Sequence, residues 1–321
     1  MRRRPRAAVL AAVTAVLTLC AGPPAIARLP VTARLPAPAP SADGGDSVQH
    51  VDLGGGRTVY LHCRGRGAPT VVLVAGLHES SDSWTLTDTE PPVPKAPAVF
   101  PGVAAFTRVC VYDRPGTLRY TDPPALTTRS SPVTGTRELP AVVRDLDRTL
   151  TAGKVPGPYV LVGHSYGGLI TLLYAKQHPD RTRGLVLVDA LAPALRRDLG
   201  AAWSPYVDAL RHPGTPYDDD PAFEQADIDG AVTAVDRAGP LPDVPLAVLS
   251  KTEPFAAPAS MSKELLARLE AAWPKAQQSL VALAAQTPHL LATGSDHYVQ
   301  LHDPDLTTAA VRLVVERTPG R

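Results

Sequence analysis

Residues 160–170 read VLVGHSYGGLI, and the reading of that stretch decides the fold. Val160, Leu161 and Val162 belong to an apolar run over residues 159–164, consistent with a buried strand. The run breaks at Gly163-His164-Ser165-Tyr166-Gly167, and Leu169, Leu172 and Leu173 follow at helical spacing until Pro179 stops them. A strand entering a helix through G-x-S-x-G is the pattern of a nucleophile elbow, a sharp turn that lifts a serine hydroxyl above a sheet. Glycines at 163 and 167 let the backbone on either side pass closely. The following helix also directs unpaired N–H groups at any negative charge that forms beside Ser165. G-x-S-x-G alone is a common string, so the strand and helix around it carry the reading.

The rest of the chain narrows the setting. At 321 residues it has room for one large α/β domain with an insertion, or for two smaller domains. A net charge of +1 with 20% charged residues gives no global field that would favour nucleic acid, so partners have to be inferred from sites. Arg2, Arg3, Arg4 and Arg6 precede an apolar stretch at 7–20, and Ala25-Ile26-Ala27 follows. This is the layout of a secretory signal peptide over residues 1–27. Its apolar run is too short to span a bilayer comfortably, so no stable membrane span is expected after cleavage, and the expected location is secreted or extracytoplasmic. Leu19 stands where a lipoprotein signal would place a small residue before Cys20. With Cys20 removed, Cys63 and Cys110 remain, an even number that an exported protein could join or leave as two buried thiols.

Residues 28–47 are rich in Pro, Ala, Gly and Ser without apolar period, and read as an extended linker. A domain then runs from 48 to 321. Its apolar runs at 58–62, 70–75, 108–112, 159–162, 185–188, 246–249 and 290–293 are mostly continuous, as expected of strands covered on both faces. Helical periodicity lies between them, at Leu139, Val142, Val143, Leu146 and Leu150, and at Leu306, Ala310, Leu313 and Val314. The expected fold class is therefore α/β, a doubly wound and mostly parallel sheet. The alternation fails at about 191–243, where Trp203, Tyr206, Tyr217 and Phe223 occur among helix-like and Pro-rich pieces; this reads as a small helical cap inserted above the carboxyl ends of the strands. The acidic run at 217–229 lacks the glycine and terminal glutamate of a calcium loop and reads as a solvated surface.

A serine hydroxyl needs a base to activate it and a third group to hold that base. Among nine histidines, His297 fits best: it follows the apolar run at 290–293, sits in a Gly-containing loop and precedes the last helix. His289 lies before that strand, His164 flanks the elbow facing away from Ser165, and His78 lies in the loop after the 70–75 run. Two acids compete for the third place. Asp189 closes the run at 185–188, and Glu253 follows the next one beside Lys251; Asp189 is favoured because a short side chain at a strand end is rigidly placed, with Glu253 as the alternative.

These motifs together resemble the α/β-hydrolase superfamily: the elbow, the strand Val71-Val72-Leu73-Val74-Ala75-Gly76-Leu77 with Trp84 downstream, Tyr112-Asp113-Arg114-Pro115-Gly116, and Gly294-Ser295-Asp296-His297. The likeness covers about residues 48–321 and is greatest to capped members such as esterases, epoxide hydrolases and haloalkane dehalogenases. It implies an oxyanion hole of the Leu77 and Tyr166 backbone N–H groups, neighbouring strands for Cys63 and Cys110, and a structural role for Asp113. It permits either acid. Two departures stand out: Ala75-Gly76 replaces the usual His-Gly pair, and Pro91, Pro92, Pro94, Pro97 and Pro101 predict an irregular loop over 87–101 in place of a helix.

The resulting expectation is an exported serine hydrolase that cleaves a small carboxylic ester through Ser165, His297 and Asp189, with no metal or cofactor. Ser165 argues against epoxide hydrolase and dehalogenase chemistry, which in this superfamily use a carboxylate nucleophile. An amidase, peptidase or thioesterase would use the same residues, as would a cofactor-free haloperoxidase-like enzyme; a secreted binding protein is the non-enzymatic alternative.

Overall fold

The computed structural model describes residues 45–89, 91, 93–256 and 260–318. The signal segment at 1–27 and nearly all of the linker lie outside the described residues. The first strand already includes Ser47, one residue before the expected start of the domain.

In chain order the strands are β1 (Ser47–Gly54), β2 (Arg57–Arg64), β3 (Thr70–Val74), β4 (Val109–Tyr112), β5 (Leu118–Arg119), β6 (Ala125–Leu126), β7 (Tyr159–His164), β8 (Thr182–Val188), β9 (Leu246–Lys251) and β10 (His289–Ala292). The helices are α1 (Asp82–Thr85), α2 (Val99–Ala104), α3 (Leu139–Ala152), α4 (Tyr166–Gln177), α5 (Ala194–Leu199), α6 (Trp203–Arg211), α7 (Ile228–Arg237), α8 (Lys263–Val281), α9 (Val299–His302) and α10 (Pro304–Arg317). Among the described residues, eight strands make one sheet in the order β1-β2-β4-β3-β7-β8-β9-β10, and β5 pairs with β6 in a separate hairpin. From β4 to β10 every pairing is parallel; β1 and β2 add an antiparallel edge.

The apolar strands are continuous because both faces are covered. One face of the sheet packs against α3 and α4 through Val72, Leu161, Leu146 and Leu169, and the other against α2 and α10 through Val71, Val160, Val103 and Val311. The chain leaves β3 toward β4 on one side, while β7 lies on the other. The loops after β3 and β7 therefore diverge at a topological switch point, where open α/β sheets form a crevice for ligands.

Three features differ from the sequence reading. β1 was not expected as a strand, because its side chains are mostly exposed and polar. The 19-residue α8, with Pro274 inside it, also carried no clear signal. In the Pro-rich stretch, residues 93–98 are irregular as expected, but Pro101 lies in the first turn of α2, where a missing N–H removes no helical bond. Between β8 and β9, α5, α6 and α7 occupy the segment expected to form a cap. No helix among the described residues is long and apolar enough to cross a membrane.

Candidate active site

Ser165 stands between β7 and α4 with φ +50° and ψ −121°, a backbone conformation that L residues seldom adopt. The turn is held by close packing. A Cβ on Gly167 would lie 2.3 Å from the Val74 carbonyl oxygen, and one on Gly163 would lie 2.5 Å from the Gly167 oxygen. Gly168 passes equally close to Ala190. Any larger residue would push α4 off β3 and lose the elbow.

His297, in the loop between β10 and α9, meets Asp189 at the end of β8: Nδ1 donates to Asp189 Oδ2 at 2.6 Å. Asp189 is fully buried, so its other oxygen also needs partners. Oδ1 accepts from Trp273 Nε1 at 2.9 Å and from the Lys251 N–H at 3.1 Å. With Nδ1 committed, the imidazole keeps Nε2 for a proton donor, and the His297 ring packs against Phe255 and Trp273. Ser165 and His297 line one cavity of about 150 Å³ together with Leu77, Tyr206, Leu210 and Phe255. Tyr206 and Leu210 come from the segment between β8 and β9, and Met261 and Leu269 come from α8 and the approach to it. Among the described residues, the lining side chains include no Lys or Arg.

The competing candidates lie elsewhere. Glu253 is exposed, and its carboxylate accepts from Thr252 Oγ1 at 3.4 Å. It reaches the histidine loop only through its backbone N–H, which donates to Ser295 O at 2.9 Å. His289 bonds Ser250 Oγ and Gln278 at the far end of β10. Asp113 accepts from Ser81, Thr127 and Arg129 and so ties the loop after β4 to the segments that carry them. Leu77 and Tyr166 flank the crevice from the β3 and β7 sides, and the Tyr166 N–H belongs to the first turn of α4, whose donors lack partners within the helix.

His164 and Glu79 form a second buried pair that sequence reasoning missed. His164 Nε2 donates to the His297 carbonyl oxygen at 2.8 Å, and Nδ1 lies 3.2 Å from Glu79 Oε2. Glu79 also accepts from the Gly76 N–H at 3.2 Å. Burial opposes both charges, yet the mutual attraction wins: His164 is held above the ordinary imidazole range and Glu79 below the usual carboxylate range. Trp273 was likewise invisible, because it acts on Asp189, 84 residues away in sequence. Only Gly76 offered a clue, since a Cβ there would lie 2.7 Å from Glu79 Oε1.

Residues 71–312 match the model of the alpha/beta hydrolase family. Among curated proteins, the chain is 34% identical to uncharacterized protein C23C11.06c of Schizosaccharomyces pombe over 110 residues, 34% of this chain and 18% of that one. It is 26% identical to uncharacterized protein YqjL of Bacillus subtilis over 259 residues, 78% of this chain and 85% of that one. The chain thus spans under a fifth of the first relative and most of the second. Among solved structures, Est816, described as an N-acyl homoserine lactone degrading enzyme, superposes with a TM-score of 0.53 at 19% identity, covering 83% of this chain and all of that one. The family match extends from the first strand of the parallel sheet into its last helix and includes every residue placed at the cavity, so the chain belongs to the alpha/beta hydrolase family.

Proposed function

We propose that the protein is an exported serine hydrolase that cleaves a small neutral carboxylic ester by way of an acyl-enzyme. The observation that carries this reading is the conjunction of Ser165 on a strained elbow with a buried Asp189–His297 pair on the same apolar cavity. Ser165 Oγ attacks the ester carbonyl while His297 Nε2 takes its proton, and Asp189 stabilises the imidazolium. The Leu77 and Tyr166 N–H groups receive the oxyanion. Collapse expels the alcohol, which takes the proton from His297; water then repeats the sequence to release the acid.

Leu77, Tyr206, Leu210 and Phe255 around the cavity favour an apolar acyl or alkyl group, and the Glu79 carboxylate in its lining disfavours a substrate carboxylate. The basic and apolar stretch at 1–27 supports export, as does a disulfide between Cys63 and Cys110. The test is labelling with a fluorophosphonate probe and turnover of matched esters and anilides. Ser165→Ala is expected to abolish labelling and lower ester turnover by on the order of 10⁶. Retained labelling removes Ser165 from the mechanism, and faster turnover of anilides than of esters makes the enzyme an amidase.

A further inference from the structure

A buried ion pair beside the cavity takes no part in the chemistry described so far. Arg114 follows β4, is only 3% exposed, and faces Glu224, 6% exposed, from the segment between β8 and β9. Arg114 Nε donates to Glu224 Oε1 at 2.6 Å and Nη2 to Oε2 at 3.1 Å. The same guanidinium grips two successive carbonyls of the loop after β3: Nη1 donates to Ala75 O at 2.8 Å, and Nη2 to Gly76 O. Glu224 Oε2 in turn accepts the His78 N–H at 2.6 Å.

These bonds bracket Leu77. Its own N–H belongs to the peptide whose carbonyl is Gly76 O, and in a trans peptide N–H and C=O point in opposite directions. Holding Gly76 O therefore sets the direction of the Leu77 N–H. The next peptide is held by its N–H on Glu224. His78, at φ +64°, is fixed further: its ring stacks on Phe223 at 4.2 Å, and Nε2 donates to Leu210 O at 3.0 Å. Burial pushes the His78 imidazole below its usual range, so it serves as a neutral donor. The contact with the 222–224 segment is tight, since a Cβ on Gly116 would fall 2.2 Å from Ala222 O.

We propose that Arg114 and Glu224 are a positioning pair that aims the Leu77 N–H at the developing oxyanion, so that the oxyanion hole is complete only while the segment between β8 and β9 is seated on the sheet. This proposal rests on the serine hydrolase reading. Arg114 and Glu224 touch no reacting atom. Their effect passes through one peptide plane, and the guanidinium charge on Gly76 O further polarises the N–H at the other end of that plane. The segment that walls the cavity therefore also assembles the donor.

Two variants of the full chain test the pair. Glu224→Gln keeps the shape and removes the charge. Arg114→Met combined with Glu224→Met removes the pair altogether, and exchanging a buried ion pair for apolar groups is often neutral for folding, so this variant decides if the first does not fold. Each is assayed for kcat and KM with p-nitrophenyl butyrate, for affinity toward a trifluoromethyl ketone that forms an oxyanion on addition to serine, and for thermal melting. The expected result is that kcat and ketone affinity fall together, by on the order of 10²-fold, with KM within about 2-fold of the parent. A folded variant with parental kcat and ketone affinity overturns the proposal, even if its melting temperature is lower, because that outcome describes a purely structural pair. Ser165→Ala run alongside separates the two readings: if it binds the ketone as the parent does, the serine hydrolase reading fails and takes this proposal with it; if it does not, unchanged variants reject the pair alone.

Discussion

Asp189 reaches His297 from an unusual backbone position. Its φ is +39°, in the left-handed region that Asp and Asn tolerate better than most residues. The turn lets Oδ1 take the Trp273 and Lys251 donors while Oδ2 faces the imidazole. Asp189→Asn can keep that backbone, yet an amide cannot balance an imidazolium and can hold the wrong tautomer. Its turnover is expected to fall roughly 10⁴-fold with a melting temperature showing a folded protein. Glu253→Gln changes an exposed side chain and is expected to stay within about 2-fold of the parent, as surface substitutions commonly do. The opposite pattern, measured on folded protein, assigns the acid to Glu253.

At the scale of elements, legibility follows distance along the chain. β7, the elbow and α4 were readable because strand, turn and helix signals stand within about 20 consecutive residues, and because hydrophobic period is a local property. β1 was not, since its pairing with β2 leaves most of its side chains in solvent and without an apolar period. α8 was hidden by Pro274 and by a face that mixes Leu265, Leu269, Trp273 and Gln277. The Glu79–His164 pair joins positions 85 residues apart, with no pattern in either neighbourhood. It ties the loop after β3 to the end of β7, and through His297 O to the loop after β10. Gln300, Tyr298 and the His297 ring also surround His164. The signs of its two shifts set a pH window. Glu79 is depressed from 4.5, so its contribution is present above that pH and lost as pH falls through its lower folded value. His164 is raised from 6.5, so its contribution is present below that pH and lost as pH rises through its higher folded value. The melting temperature of the parent should exceed that of Glu79→Gln most between about pH 5 and pH 6, with the gap narrowing on both sides. A gap that stays constant from acid to alkaline pH would mean that the pair is not ionised.

For the whole molecule, the parallel sheet supplies the crevice, while its antiparallel edge supplies a covalent tie. Cys63 and Cys110 face each other in the β2–β4 register and are bonded. The cross-link joins residues 47 apart in sequence. In the chain-entropy account, closing such a loop in the unfolded state stabilises the fold by roughly 4 kcal/mol. Replacing both cysteines by alanine should therefore lower the urea midpoint of the mature protein, and a reductant should lower the parent's midpoint but not the variant's. The same bond connects stability to the proposed export, because cytosolic reductants oppose it and an extracytoplasmic setting preserves it. If cleavage follows Ala27, Cys20 leaves with the signal, and denatured mature protein should begin at Arg28 and titrate no free thiol. A chain still carrying residues 1–27 should titrate one. Two thiols in the mature protein, with a urea midpoint indifferent to reductant, would remove both the bond and the support it lends to export. The triad prediction would survive that result, since Ser165, His297 and Asp189 are carried by β7, β8 and the loop after β10, away from the edge that the disulfide ties.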